Sequence, residues 1–478
     1  MDFDRMPDHI CLQIVLCLPF KEQVRLGRVN RRFKQISKWA VSNLKEFSLG
    51  DFLRVKLKSM KKMIRLFARS LEMVTYIYCE WRLSEHDSAI MHKRLALLSK
   101  HQLPRLNKLF LMRGTLESDA ILCNLLANSP NLRHLEWIGP PSTTFPNVVC
   151  HSLEIVDIHW CHSEFFESLA EKCPRLRHIS LENMLASVKP WDEVVDKAAA
   201  TLPLIEKLKL IRPKDSDEFM LNFKKMPNLW KLSALRSLEL IKFSTSDREL
   251  ELLSTSFPQL EQLEIWCGQV TGGGISRLSR LKYLRCLSLS IFPDDDGFDI
   301  DRETDRERGI EQLAVYCNCL QYVKFGYYPI LGATTVKEFV QRCCQLKEIS
   351  AIRVVGVPTK NDAVRFIESL AGFPQDDVCI RLWDTHADLW TCAKVKRALT
   401  LVKEQAGGRS ISVFGGTDFR SEYGHDGNED SDDDGTDLST EDEDPSESSG
   451  NHSIMNLIAE FISDVVSMFR DLYEMIFH

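Results

Sequence analysis

One phrase constrains this chain more than any other: an apolar residue, two others, a second apolar residue, one other, and a third apolar residue. The best copies are Leu106-Leu109-Leu111, Leu132-Leu135-Trp137, Leu153-Val156-Ile158, Leu176-Ile179-Leu181, Ile205-Leu208-Leu210, Leu235-Leu238-Leu240, Leu260-Leu263-Ile265, Leu284-Leu287-Leu289, Leu320-Val323-Phe325 and Leu346-Ile349-Ala351. Their first residues advance by 26, 21, 23, 29, 30, 25, 24, 36 and 26. Weaker forms at Leu44-Phe47-Leu49 and Leu71-Val74-Tyr76 extend the series towards the N-terminus. Alternation at the second and third positions puts two apolar side chains on one face of a short strand and turns the residue between them to the other face. Runs with apolar residues three and four apart follow the strands at 118–128, 164–172, 191–201, 247–256 and 334–342, and several open on a capping Ser, Thr or Asp. A lone strand and helix cannot bury both apolar faces, so neighbouring units must stack.

A period in the twenties built on this phrase reads as leucine-rich repeats. The expectation is an α/β fold: a curved solenoid with parallel strands on its concave face and helices on its convex face, spanning 41–415. The phrases Lys172-Cys173-Pro174, Cys317-Asn318-Cys319 and Cys343-Cys344-Gln345 resemble the cysteine-containing class of these repeats, in which Cys ends the helix before the next strand. These cysteines read as small buried packing residues. Beyond 351 the phrase degrades into an apolar run at 378–382, a helix at 393–405 and a last strand at 410–414, as befits terminal repeats with a neighbour on one side only.

Ahead of the repeats, residues 6–36 form three short helical phrases. Ile10, Leu12, Ile14, Val15, Leu16 and Leu18 follow Pro7 so densely that one helix face cannot hold them, and Pro19 stops the run. Val24, Leu26 and Val29 then recur before Asn30-Arg31-Arg32-Phe33. A segment this small and this apolar needs something else to cover it. Met6-Pro7-Asp8, Ile10, Ile14, Leu16, Leu18-Pro19, Leu26, Val29, Arg31-Arg32 and Phe33 resemble the F-box pattern in register, with Met6, His9 and Asn30 standing where Leu, Glu and Cys are commoner. The resemblance implies an F-box over 1–40 that binds the Skp-type adaptor of a cullin-RING (SCF-type) ubiquitin ligase through Pro7, Ile10, Ile14, Leu16, Leu18, Pro19, Leu26, Val29 and Phe33.

Composition excludes several other roles. A net charge of −7 gives the whole molecule no electrostatic reason to seek nucleic acid. The fifteen cysteines are scattered without a CxxC pair, which reads as reduced thiols and a cytoplasmic or nuclear location. No uncharged stretch reaches membrane-spanning length, and the apolar run 10–18 lacks the flanks of a secretion signal. His151, His159, Cys161 and His162 do not converge as a metal set, because alternate residues on a strand and its end diverge. Gly272-Gly273-Gly274 lacks the Lys-Ser/Thr of a phosphate loop and is expected to ease a turn. No catalytic constellation, cofactor or metal is expected, so the chain reads as a non-catalytic binding protein.

The residues between the second and third apolar positions (Phe110, Glu136, Asp157, Ser180, Lys209, Glu239, Glu264, Ser288, Lys324 and Ser350) should face solvent in the concavity. Trp160, Trp266, Tyr327 and Tyr328, just past strand ends, add aromatic anchors for a protein client. A charged insertion near 292–308 reads as a mobile, solvated loop. Residues 416–452 form an acidic linker expected to be disordered, with thirteen Asp or Glu and no Lys or Arg from 421 to 452. Residues 453–478 carry a wide apolar stripe and one cation, Arg470, which favours docking on a protein over an anionic membrane. The function expected is a substrate receptor that holds a client near the ligase; the alternative is a scaffold that binds adaptor and partner without promoting degradation.

Overall fold

Every copy of the repeating phrase forms one strand of a parallel sheet in the computed structural model. The structure describes residues 6–18, 20–50, 55–75, 85–112, 119–138, 145–185, 189–212, 223–268, 270–291, 300–326, 331–351, 354–355, 360–370, 378–382, 393–405 and 411–415. The expected acidic linker and C-terminal helix lie outside them.

The chain starts with three helices, α1 (Asp8–Leu16), α2 (Phe20–Leu26) and α3 (Arg31–Ser42). The first repeats supply β1 (Glu46–Ser48), α4 (Leu57–Phe67), β2 (Met73–Thr75), α5 (Glu85–Leu98), β3 (Lys108–Met112), α6 (Asp119–Asn128) and β4 (His134–Ile138). Next come β5 (Ile155–His159), α7 (Ser163–Lys172), β6 (His178–Glu182), α8 (Trp191–Thr201), β7 (Lys207–Ile211), β8 (Ser237–Thr245), α9 (Asp247–Ser256), β9 (Gln262–Cys267) and α10 (Gly272–Arg277). The last are β10 (Cys286–Ile291), α11 (Ile300–Tyr316), β11 (Tyr322–Gly326), β12 (Leu331–Gly332), α12 (Ala333–Arg342), β13 (Glu348–Ala351), β14 (Val354–Val355), α13 (Lys360–Ser369), β15 (Val378–Leu382), α14 (Ala393–Gln405) and β16 (Ile411–Gly415). Among the described residues fourteen strands lie side by side in chain order, with β12 and β14 forming a separate pair.

The register follows the phrase. Leu109, Leu135, Val156, Ile179, Leu208, Leu238, Leu263, Leu287, Val323, Ile349 and Ile380 are successive partners, and all are buried. The first apolar residue of each copy sits in the turn that enters the strand. There the Leu176 N–H donates to the Cys173 carbonyl at 3.2 Å, and Leu320 and Leu346 do the same to Cys317 and Cys343. Cys173 and Cys343 cap the ends of α7 and α12 and Cys317 follows α11; all three are wholly buried. Burial pushes the Cys317 and Cys343 thiols up to about 12, which makes them packing groups and not nucleophiles.

Just after that first residue the charges alternate from repeat to repeat: Arg133, Glu154, Arg177, Glu206, Arg236, Glu261, Arg285. Each backbone N–H donates to the carbonyl of the equivalent residue one repeat back, as Arg177 does to Glu154 at 2.9 Å. Ion pairs join Arg177 to Glu206 at 2.5 Å and Arg236 to Glu261 at 2.6 Å. Each exposed pair adds at most about 1 kcal/mol, so this ladder sets register more than it adds stability.

Two expectations are corrected. The charged insertion is helical from Ile300 onward, and its charges are used in packing. Arg306 is buried, pairs with Glu303 at 2.8 Å and donates from Nε to the Val270 carbonyl at 2.9 Å. The Asp305 carboxylate accepts the Gly272 N–H at 2.6 Å, and Glu307 accepts the Gly332 N–H at 2.6 Å, so both acids cap the starts of neighbouring helices. The glycine triplet does not ease a turn either. It opens α10, with Thr271 as N-cap, where backbone meets backbone: a Cβ on Gly272 would lie 1.9 Å from the Asp305 carbonyl oxygen. Only glycine permits that approach.

Candidate functional site

The N-terminal helices own a small core. Cys11 and Val15 of α1 meet Ile36 and Ala40 of α3, with Met6, Leu12, Leu26 and Phe33 packed around them. Pro7 precedes α1, and its carbonyl accepts from Ile10 and Cys11 at 3.1 Å. Asn30 caps α3, its side chain accepting the Phe33 N–H at 2.8 Å. Arg32 ties α3 back to α1, with Nε 2.8 Å from Asp8 Oδ1 and Nη2 donating to the Met6 carbonyl. The Ser37 hydroxyl donates to the Gln23 carbonyl at 2.7 Å, locking α2 against α3. The unit joins the repeats through α3 itself, since Val41 belongs to the repeat core.

The nine residues read as an adaptor face divide accordingly. Leu26 and Phe33 pack against the small core and hold the helices together. Ile10, Ile14 and Leu18 are half-buried, and Pro7 is exposed. Leu16 at 44% and Val29 at 64% exposure project apolar surface into solvent. Pro19 lies outside the described residues.

Within this small unit sits the decisive match: residues 3–45 fit the model of the family described as F-box domain. The segment is an F-box domain. It stands directly ahead of the parallel sheet built from the repeated phrase. No curated protein matches the sequence. Among solved structures, a chain of the crystal structure of the Rad7 and Elc1 complex in yeast is similar at 15% identity over 86% of this chain and 88% of that one, with a TM-score of 0.39.

The second surface is the open face of the sheet. The strands align Phe110, Glu136, Asp157, Ser180, Lys209, Glu239, Glu264, Ser288, Lys324 and Ser350 as one row across it. This row is drier than the sequence suggests, because strands about 4.8 Å apart crowd their side chains together. Ser180, Glu239 and Ser350 are buried, not solvated. Glu239 pairs with Lys207, 2.8 Å away, and accepts from Gln262 at 3.1 Å. Burial, aided by the Glu239 carboxylate, raises the pKa of Glu264 above the ordinary carboxylate range. Burial, then Asp157 and Glu182, do the same to Glu136. For Lys209 burial lowers the pKa, but its bond to Glu182 together with the negative charges of Glu182, Glu239 and Asp157 outweighs this and the net shift is upward.

The aromatic candidates part company. Trp160 is 44% exposed and holds a left-handed backbone, φ 68°, unusual for a bulky residue. Trp266 is only 7% exposed, because β8, β9 and β10 run longer than their neighbours and take it into the strand layer beside Ser290. It offers a client almost nothing. Tyr327 and Tyr328 lie outside the described residues. Tyr322, which sequence reasoning passed over, is 44% exposed at the start of β11. It walls a hollow of about 180 Å³ with Gln262, Glu264, Ser288, Lys324 and Ser350. Its position ahead of Val323-Lys324-Phe325 was the available signal.

Of the histidine and cysteine set, Cys161 is wholly buried with its thiol on the His162 carbonyl. His159 instead meets two carboxylates. Its Nδ1 lies 3.1 Å from Glu182 Oε2 and its Nε2 lies 3.6 Å from Asp157 Oδ1. Glu182 comes from the neighbouring strand, a juxtaposition that spacing along one strand does not reveal.

Proposed function

We propose that this chain is the substrate-recognition subunit of an SCF-type ubiquitin ligase, with the F-box on a Skp-type adaptor and the open sheet face on a protein client. One observation carries the adaptor half. A three-helix unit with its own core leaves Leu16 and Val29 bare, although burying such side chains is worth about 1.5–3 kcal/mol each. The match of residues 3–45 to the F-box family supports the same face. Pro7, Ile10, Ile14, Leu16, Leu18, Pro19 and Val29 form the contact in this reading, while Leu26 and Phe33 position it.

The client half rests on the open face, where Trp160 and Tyr322 supply exposed aromatic anchors among mixed charges. The chain itself performs no chemistry. It shortens the search between client lysines and a charged conjugating enzyme held by the adaptor and cullin.

The test is capture of a purified Skp-type adaptor by the full chain, followed by client half-life after depletion of this protein. Capture with client stabilisation on depletion supports the receptor reading. Capture with unchanged half-lives favours the scaffold that binds without promoting turnover, and failure of capture removes both.

A further inference from the structure

On the open face, β5 and β6 pair so that Asp157 lies beside Ser180 and His159 beside Glu182. Strand alternation turns all four to the same side. One donor atom each from Asp157, His159 and Glu182 lies within 4.8 Å of the other two. We propose that Asp157, His159 and Glu182 bind a divalent transition-metal ion, with Zn2+ the best match to one imidazole and two carboxylates.

Three observations point to this cluster as a place for a cation. A neutral imidazole has one N–H and one lone pair, yet both His159 nitrogens face carboxylate oxygens, Nδ1 towards Glu182 and Nε2 towards Asp157. It can donate to only one of them. In the neutral ring the other nitrogen then presents a lone pair to an anion, which a second ring proton relieves in the free protein and a metal ion on that nitrogen relieves when bound. The second observation is a pair of buried polar atoms: the hydroxyl of Ser180, a residue 9% exposed, and Asp157 Oδ1, neither of which has a hydrogen-bond partner among the described residues. Buried polar atoms ordinarily find one. Third, among the described residues Glu136, Asp157 and Glu182 cluster against one ammonium, that of Lys209, which contacts Glu182. A divalent ion balances the two negative charges left over.

Imidazole selects the site against Mg2+ and Ca2+, which prefer all-oxygen shells. Ligand oxygens and nitrogens about 2.0–2.2 Å from a zinc ion stand a little over 3 Å apart, so the three donor atoms, within 4.8 Å of one another here, draw together on binding. The inference needs no adaptor or client and stands or falls separately from the ligase reading.

The experiment titrates the chelator-treated full-length chain with Co2+, followed by its visible d–d absorption, and then with Zn2+ in competition. The expected result is one equivalent of Co2+ with d–d bands and no thiolate charge-transfer band, displaced by Zn2+. His159→Ala and Glu182→Gln should each weaken uptake at least about 10-fold, while His178→Ala, on the same strand as Glu182 but outside the cluster, leaves it unchanged. Melting curves establish that the variants are folded. Absence of uptake, uptake that His159→Ala does not change, or a thiolate band assigning the metal to cysteines would each overturn the proposal.

Discussion

Leu16→Lys separates the proposed adaptor face from the fold that presents it. Leu16 is the last residue of α1, so a cation there agrees with the helix dipole and folding should change by no more than about 0.5 kcal/mol. Binding should change far more. The exposed 44% of the side chain, taken as a share of about 1.5–3 kcal/mol for full burial, is worth about 1 kcal/mol at an interface. Stranding an ammonium in a dry contact adds roughly 2 kcal/mol or more after partial solvation. The total of about 3 kcal/mol is roughly a 100-fold weaker Kd. Isothermal titration of the full chain against a purified Skp-type adaptor reads it directly, with Leu16→Met as the volume-conserving control. If the Lys variant binds as the parent does while melting at the same temperature, Leu16 is not in the contact and the assignment of this face is wrong.

Other expectations concern the repeats. Arg306→Ala removes a buried guanidinium that serves Glu303 and the Val270 carbonyl, and should cost about 3 kcal/mol in urea unfolding; a loss under about 0.5 kcal/mol would mean that the insertion is not packed. Gly272→Ala drives a Cβ to 1.9 Å from backbone and should prevent normal folding, whereas Gly273→Ala, whose nearest neighbour is Thr271 Oγ1 at 3.4 Å, should stabilise α10 by about 0.5–1 kcal/mol. Equal effects at the two positions would contradict the close crossing of α10 and α11. Glu264→Gln should raise stability at neutral pH. A carboxyl whose folded pKa is raised binds more protons folded than unfolded, so it destabilises above that pKa and contributes nothing below the unfolded value. The gain from Gln should shrink as pH falls through the acid range, and a pH-independent gain would refute the burial argument.

The sheet was legible because its apolar positions repeat with a fixed internal spacing, and that spacing alone determined which residues would pair. Even the degraded copies at Phe47 and Val74 take their places as β1 and β2. The ladder of Arg133, Glu154, Arg177 and Glu206 was equally present in the sequence, one residue after the first apolar residue of each copy, but charge alternation across a period in the twenties does not show in any local window. The insertion was misread for a related reason. Its acids and bases looked like solvated loop, yet Asp305, Arg306 and Glu307 each find a partner more than twenty residues away. Trp266 and the Asp157-His159-Glu182 cluster failed for geometry of a different kind: strand length buries the first, and the neighbouring strand completes the second. Leu16 and Val29 could be placed on a sticky segment from sequence, but not distinguished from Leu26 and Phe33, which face inward.

Helix α3 is shared property: Ile36 and Ala40 belong to one core and Val41 to the other. No hinge separates the two attachments, which makes the twelve-residue helix a splint. One extra residue after Ala40 would rotate everything upstream by about 100° and shift it by about 1.5 Å. Whatever sits on the first helices would then point away from whatever the sheet holds, with both grips intact and only their alignment lost.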